Sequence, residues 1–250
     1  MPNFNSYSKY YDLLYKDKKY KVEAEYVMNA LCSTSAKKVK SILELGCGSG
    51  PHAEYFCRKG IKVTGLERSA EMVQEALGKK IENFTPMVGN IENYSLNKQF
   101  DAVVSLFHVI SYLTFNESLV SCFETTARHL KKGGVFLFDA WYSPAVYTLK
   151  PETRIKRMED KAVSIVRLSE PEVQCNSNVV DVHFDIMVTG KATGKTSVIK
   201  ETHPMRHFSL PEIKLLAGFT GFKFLHAEEF LTKKPPCDTT WGVCFILQKK

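Results

Sequence analysis

The stretch LELGCGSG, Leu43 to Gly50, sets glycine at three alternate positions, Gly46, Gly48 and Gly50, between an apolar run and a helical pattern. Glycine lacks Cβ, so it takes positive φ and lets a ligand approach the backbone closely. A loop built this way is a cradle rather than a spacer. The run SILEL leading into it reads as a buried strand. PHAEYFCRKG, leading out, reads as a helix with Pro51 in its first turn and Gly60 at its stop. Strand, glycine turn and helix in that order describe an open α/β sheet, whose ligands sit at the carboxyl ends of the strands.

The alternation continues. IKVTGLE reads as a second strand, Ser69 offers an N-cap to the helix AEMVQEALGKK, and TPMVG and FDAVVSLF read as further strands. A helix near Glu117 to Leu130, the turn KKGG and the strand VFLFDA follow. Such β-α alternation implies right-handed crossovers and a parallel sheet covered on both faces. From about Trp141 to Arg206 the pattern changes to alternating segments, AVSIVRL, NVVDVHFDIMV and TSVIKETHPM, which read as an inserted antiparallel sheet. SLPEIKLLAGF then carries a capping box, Ser209 with Glu212, and two strands, FKFLHAEEF and GVCFILQ, close the chain.

The glycine spacing is selective. Pro51 stands where a G-x-G-x-x-G dinucleotide fingerprint needs its last glycine, and no G-K-[ST] follows as a P-loop requires. Glu67 ends the second strand seventeen positions after Gly50, where a carboxylate accepts from both hydroxyls of a ribose.

LELGCGSG, VTGLERSAEMVQEA, GNIENYS, FDAVVSLFHVISYL and LKKGGVFLFD, in that order and spacing, resemble the class I S-adenosylmethionine-dependent methyltransferases over about residues 10–140. The resemblance implies a Rossmann-like, mostly parallel seven-stranded sheet with helices on both faces, plus the inserted antiparallel β subdomain. Residues 1–140 and 207–250 would form the methyltransferase domain, with 141–206 as an acceptor lid, a dimer surface, or both. It implies S-adenosylmethionine as cofactor, with Glu44, Gly46, Cys47, Gly48 and Gly50 around its methionine end and Glu67 on the ribose. Arg68 and Met72 would lie beside them, Asn90 and Ile91 would flank the adenine, and Leu106 and Phe107 would continue the wall. Many relatives carry Asp at the place of Asn90, whose amide keeps an acceptor oxygen.

A narrower resemblance rests on YYDLLY, SLFHVISYL, DAWYSP, the long β insertion and the ending WGVCFILQ, which are similar to the nucleotide-linked amino-sugar N,N-dimethyltransferases. It implies that Tyr11 and Tyr20 close over the cofactor, and that Phe107, His108 and Tyr112 face the transfer site. Some relatives have histidine at the place of Tyr112 and arginine at that of Trp241. Methyl transfer from a sulfonium gains most from holding nucleophile, carbon and sulfur in line, and an amine acceptor must also shed a proton. His108 is the first candidate for that task and Tyr112 the second, as a phenol that orients the amine. Trp141, Tyr142 and Trp241 are the expected acceptor walls, their rings attracting a cationic amine or the sulfonium.

The remaining features narrow the partners. The net charge of +7 is spread over single lysines and short runs, with no basic stripe carrying interleaved aromatics, which argues against nucleic acid. SLFHVISY also lacks the [ND]-P-P-[YF] and P-C stretches expected of base-methylating enzymes. RNA and other small metabolites remain the alternative acceptors. Seven cysteines include no C-x-x-C pair, and His183, His203 and His207 in the insertion have no companion at ligand spacing, so no metal is expected. No run reaches the length of a membrane span and the N-terminus lacks a secretory apolar stretch, so the expected location is the cytoplasm, with no membrane contact. A homodimer is implied by the resemblance alone.

Overall fold

The computed structural model describes residues 8–35 and 37–250; the leading residues, read above as lacking a secretory apolar stretch, lie outside that range. The chain begins with helices α1 (Ser8–Leu14) and α2 (Tyr20–Thr34). It then alternates β1 (Ser41–Leu45), α3 (Pro51–Arg58), β2 (Lys62–Glu67), α4 (Ala70–Gly78), β3 (Phe84–Val88) and β4 (Phe100–Ser105). A 3-10 turn (Val109–Tyr112), α5 (Asn116–His129), β5 (Leu130–Trp141) and α6 (Ser143–Leu149) lead to β6 (Arg154–Glu159), β7 (Val163–Gln174), β8 (Val179–Gly190) and β9 (Thr196–Arg206). The chain ends with α7 (Leu210–Phe219), β10 (Phe222–Glu229) and β11 (Gly242–Lys249).

Seven strands form one sheet in the order β10-β11-β5-β4-β1-β2-β3. β3, β2, β1, β4 and β5 pair in parallel, and β11 runs antiparallel between β5 and β10. Alternate residues of each strand feed opposite faces. Ile42, Val104 and Leu137 pack beneath Val27 of α2 and Phe56 of α3, while Leu43, Val103 and Phe138 pack beneath Phe123 of α5 and Ile213 of α7. Strand order reverses at β1, which lies between β2 and β4, and this opens the crevice that receives ligands in such sheets.

The second sheet is antiparallel, in the order β6-β7-β8-β9. Its inner face meets α1, where Leu14 packs with Ile165, Ile186 and Val188. Three details depart from the sequence expectation. Residues 143–149 are helical although they fall in the segment read as β-rich, because Tyr142 and Pro144 start a helix that buries Ala145 and Val146. KKGG lies within β5 as a bulge: partners step from Phe100↔Leu130 to Ala102↔Val135, and Gly133 takes a φ of 76°. The capping box is half formed. Ser209 accepts from the Glu212 amide at 3.4 Å, but the Glu212 carboxylate turns to Arg206 instead.

Among the described residues no helix is long and apolar enough to cross a membrane.

Candidate active site

The glycine loop leaves β1 and folds back on the end of β2, with the Gly46 and Cys47 amides both donating to the Leu66 carbonyl at 2.7 and 3.2 Å. Gly46, Gly48 and Gly50 all have positive φ. At Gly46 a Cβ would stand 2.6 Å from Val109, and at Gly50 2.5 Å from the Phe84 ring, so neither position admits a side chain. Glu67, buried at the end of β2, accepts from the Gly48 amide at 3.0 Å and the Ser69 amide at 2.9 Å. A carboxylate has about four lone-pair sites, so two accepted bonds leave capacity for a pair of hydroxyls.

These groups line one end of a cavity of about 590 Å³ that runs from the loop to the inserted sheet. Its walls include the expected Tyr11, Tyr20, Gly46, Cys47, Gly48, Glu67, Arg68 and Met72. Asn90, Ile91, Leu106, Phe107, His108, Tyr112, Trp141 and Trp241 complete the expected set. Three expected residues stand elsewhere. Gly50 caps α3 against Phe84. Tyr142 is buried at the start of α6, its amide on the Trp241 carbonyl at 3.0 Å, so it supports the tryptophan wall from behind. Glu44 lies under the loop at 1% exposure, and burial, with the charge of Glu67, pushes its carboxyl up to about 8. His52 stands between Glu44 and the cavity, with Nδ1 3.6 Å from Glu44 and Nε2 2.7 Å from Glu23, and the Tyr20 ring packs edge-on against it at 5.0 Å.

In the same cavity two imidazoles are each held by a carboxylate. Phe107 and His108 both take left-handed backbone, φ 66° and 61°, a costly conformation for such side chains that marks a constrained site. His108 Nδ1 lies 2.8 Å from Asp139, a buried residue of β5 that also accepts from the His108 amide at 3.3 Å. Burial works to raise the Asp139 carboxyl, but the His108 charge and hydrogen bonds prevail and hold it below its ordinary value. Nδ1 is buried without a hydrogen bond of good geometry, so the ion-pair contact with Asp139 and the bond from the His108 amide hold the ring, with Nε2 as the candidate base. Asp139 lies in VFLFDA and was not singled out in the sequence; a carboxylate inside an apolar strand was the available signal.

Opposite, the Tyr112 hydroxyl meets His203 Nδ1 at 2.8 Å and His203 Nε2 meets Glu201 at 3.0 Å. With Glu201 ionised, Nε2–H donates to the carboxylate and the phenol donates to Nδ1, leaving the phenolic oxygen as an acceptor. Burial first, then Arg68 and Arg167, lower the His203 pKa against the opposing pull of Glu201. Glu201, two residues before His203 on the same strand face, is the companion carboxylate that the sequence reading did not find. His183 faces outward to Thr202 and Glu172, and His207 is bonded to Ser143, its pKa lowered to about 4 by burial and Arg206.

Comparison with known proteins agrees with this geometry. Residues 42–134 match the family described as a methyltransferase domain. The chain is 29% identical over 202 residues to the dTDP-3-amino-3,4,6-trideoxy-alpha-D-glucopyranose N,N-dimethyltransferase of Streptomyces venezuelae, covering 80% of this chain and 78% of that one. Its fold matches Streptomyces venezuelae DesVI with a TM-score of 0.81 at 23% identity, over 98% and 99% of the two chains. An S-adenosylmethionine-bound amino pentose methyltransferase from Micromonospora echinaspora matches with a TM-score of 0.76 at 19% identity, over 100% and 99%. The backbone cradle and the half-satisfied Glu67 carboxylate fit that cofactor, and residues 42–134 carry a methyltransferase domain within a chain that has the fold of S-adenosylmethionine-dependent methyltransferases.

Proposed function

We propose that the protein methylates the amine of a nucleotide-linked amino sugar. The observation that carries this reading is the pair of imidazole–carboxylate units, His108–Asp139 and Tyr112–His203–Glu201, whose His108, Tyr112 and His203 line the same cavity as the glycine loop. A carboxylate acceptor arrives with its lone pair exposed and needs no base. An amine arrives protonated at neutral pH and must lose a proton before or during attack. Two proton-accepting units therefore favour nitrogen. The amino-sugar N,N-dimethyltransferase named above points the same way.

When bound, the cofactor supplies an electrophilic methyl group on a sulfonium. In this reading Glu67 grips its ribose, Asn90 and Ile91 flank its adenine, and Tyr11 and Tyr20 close over it. His108 Nε2 takes the proton of the incoming ammonium, with the imidazolium stabilised by Asp139. Tyr112 accepts a hydrogen bond from the amine and so aims its lone pair, while Trp141 and Trp241 hold the cation before it is discharged. Homodimerisation belongs to the same reading, and sedimentation showing monomer alone removes it.

The test is incubation of the protein with methyl-labelled cofactor and a panel of nucleotide-linked amino sugars, free amines, small carboxylates and RNA. Label is expected in the nucleotide-linked amines; label confined to carboxylates or RNA overturns the assignment.

A further inference from the structure

Phe107 and His108 hold consecutive left-handed φ values, and such strain persists only where the surroundings enforce it. His108 is held by Asp139, and its carbonyl accepts from the Ser111 amide at 3.0 Å. Phe107 is held by its ring. Lys18 Nζ lies 4.1 Å from the Phe107 centroid and 5.4 Å from that of Tyr20, while the Tyr15 ring meets Phe107 edge-on at 4.9 Å. Lys18, between α1 and α2, is fixed at both ends. Its amide donates to the Tyr15 carbonyl at 2.9 Å, its carbonyl accepts from the Tyr20 amide at 3.0 Å, and its ammonium pairs with Glu23. The side chain is only 14% exposed, a burial that lysine tolerates when its charge is paired.

Glu23 does not serve Lys18 alone. Its second oxygen lies 2.7 Å from His52 Nε2, and His52 Nδ1 lies 3.6 Å from Glu44 beneath the glycine loop. Burial works to raise the Glu23 carboxyl, but the His52 hydrogen bond and the Lys18 charge prevail and hold it below its ordinary value, so it is an anion set between two donors. A line of polar contacts therefore runs from the underside of the loop through His52, Glu23 and Lys18 to the face of Phe107, where a cation half removed from water gains most from an aromatic ring. The Lys18 charge, after that of His108, also helps to hold Asp139 ionised. We propose that Lys18 is a positioning residue for methyl transfer: seated by Glu23, it presses on the Phe107 ring and so holds the strained Phe107–His108 turn against Asp139. It thereby ties the base to the segment between α1 and α2, whose flanking Tyr15 and Tyr20 line the cavity. Calling His108 the base rests on the function proposed above; the mechanical tie does not.

Hydrogen exchange and NMR of the full chain saturated with S-adenosylhomocysteine test the tie, together with single-turnover rates on whichever acceptor takes label. Lys18→Met keeps the length of the side chain and loses its charge. It is expected to speed exchange of the residue 106–109 amides at least about tenfold, to move the His108 ring resonances, and to slow the single-turnover step about tenfold, with acceptor KM and S-adenosylhomocysteine affinity within about twofold of wild type. Lys18→Arg supplies a planar cation that pairs with a carboxylate and stacks on a ring, and is expected to restore all three. Lys19→Met, an exposed neighbouring cation with no side-chain bond to the helix it caps, is expected to change none. Should Lys18→Met fail to fold, Glu23→Gln removes the anion that seats Lys18 and is expected to give the same changes in exchange and rate. Wild-type exchange and turnover in Lys18→Met, or losses that Lys18→Arg does not recover, overturn the tie. Slower turnover with unchanged exchange overturns it as well, since the charge would then act without holding the turn. Faster exchange and moved resonances in Lys18→Met, alongside a His108→Ala variant that turns over at the wild-type rate, leave the tie standing and remove the base.

Discussion

The two ends of the cavity are built from different materials. Beside the glycine loop the lining is backbone and one carboxylate: a loop of three glycines, tied to Leu66 and to Glu67 within a span of some twenty residues. Toward the inserted sheet it is side chains from the turn after β4, from β5 and from β9, brought together over nearly a hundred positions, as the bond from Tyr112 to His203 shows. Recognition by backbone must be written locally, because φ is a property of one residue. Recognition by side chains on alternating strands is written in registers that only folding reveals.

The largest expected effect tests the acceptor end alone. His108→Ala is expected to lower the single-turnover rate by roughly 10²- to 10⁴-fold with whichever acceptor takes label, with affinity for S-adenosylhomocysteine unchanged. Asp139→Asn is expected to reproduce part of the loss, since the amide neither fixes the ring nor stabilises its charge. A variant that turns over at the wild-type rate removes His108 from the chemistry and leaves the Tyr112–His203–Glu201 chain as the working base. In that case the acid limb of the rate profile would shift in Glu201→Gln.

Next in size is the cofactor end. Glu67→Ala is expected to weaken S-adenosylhomocysteine by about 1.5 to 3 kcal/mol, the worth of hydrogen bonds to a charged acceptor, while the KM of whichever acceptor takes label stays the same. Calorimetry that finds equal affinity would dismiss the ribose role. A parallel rise in acceptor KM would instead mean that the two regions are mechanically one, against the division drawn above.

That division also explains what the sequence disclosed. The glycine loop, the alternation of strand and helix, and the place of Glu67 at the end of β2 were legible because each depends on residues close in sequence. The family resemblance added His108 and Tyr112. Asp139 and Glu201 were not legible, and His203 was seen without its partners, because a strand pattern shows that alternate residues share a face without showing which face lines a cavity. Tyr142 misled for the same reason: the residue after Trp141 points the other way, into the core. Phe107 and His108 carry no local mark of their left-handed backbone, since nothing in SLFHVISY is glycine or asparagine.

The smallest expected effect concerns α1, which touches both ends. Asp12 accepts from Ser49 of the glycine loop at 3.0 Å and from Lys79 at 3.1 Å, while Leu14 and Tyr15 pack on the inserted sheet. Glu75 is pushed up to about 7 by partial burial, by its hydrogen bond to Asp12 and by the Asp12 charge, so below that pH it donates a proton to the anchor. A carboxyl whose pKa is raised in the folded chain adds docking free energy that is fully present below its ordinary value near 4.5 and is lost as pH rises through about 7. Hydrogen exchange of the α1 amides, corrected for intrinsic rates, is therefore expected to lose protection between pH 6 and 8, by less than about tenfold because the pair is half exposed. Glu75→Gln keeps a donor toward Asp12 and cannot ionise, so its protection is expected to stay flat across that window. A variant that still loses protection would place the titrating group elsewhere. A wild-type curve already flat would mean that packing on the inserted sheet, rather than the loop anchor, holds α1 down, and would assign that helix to the acceptor end.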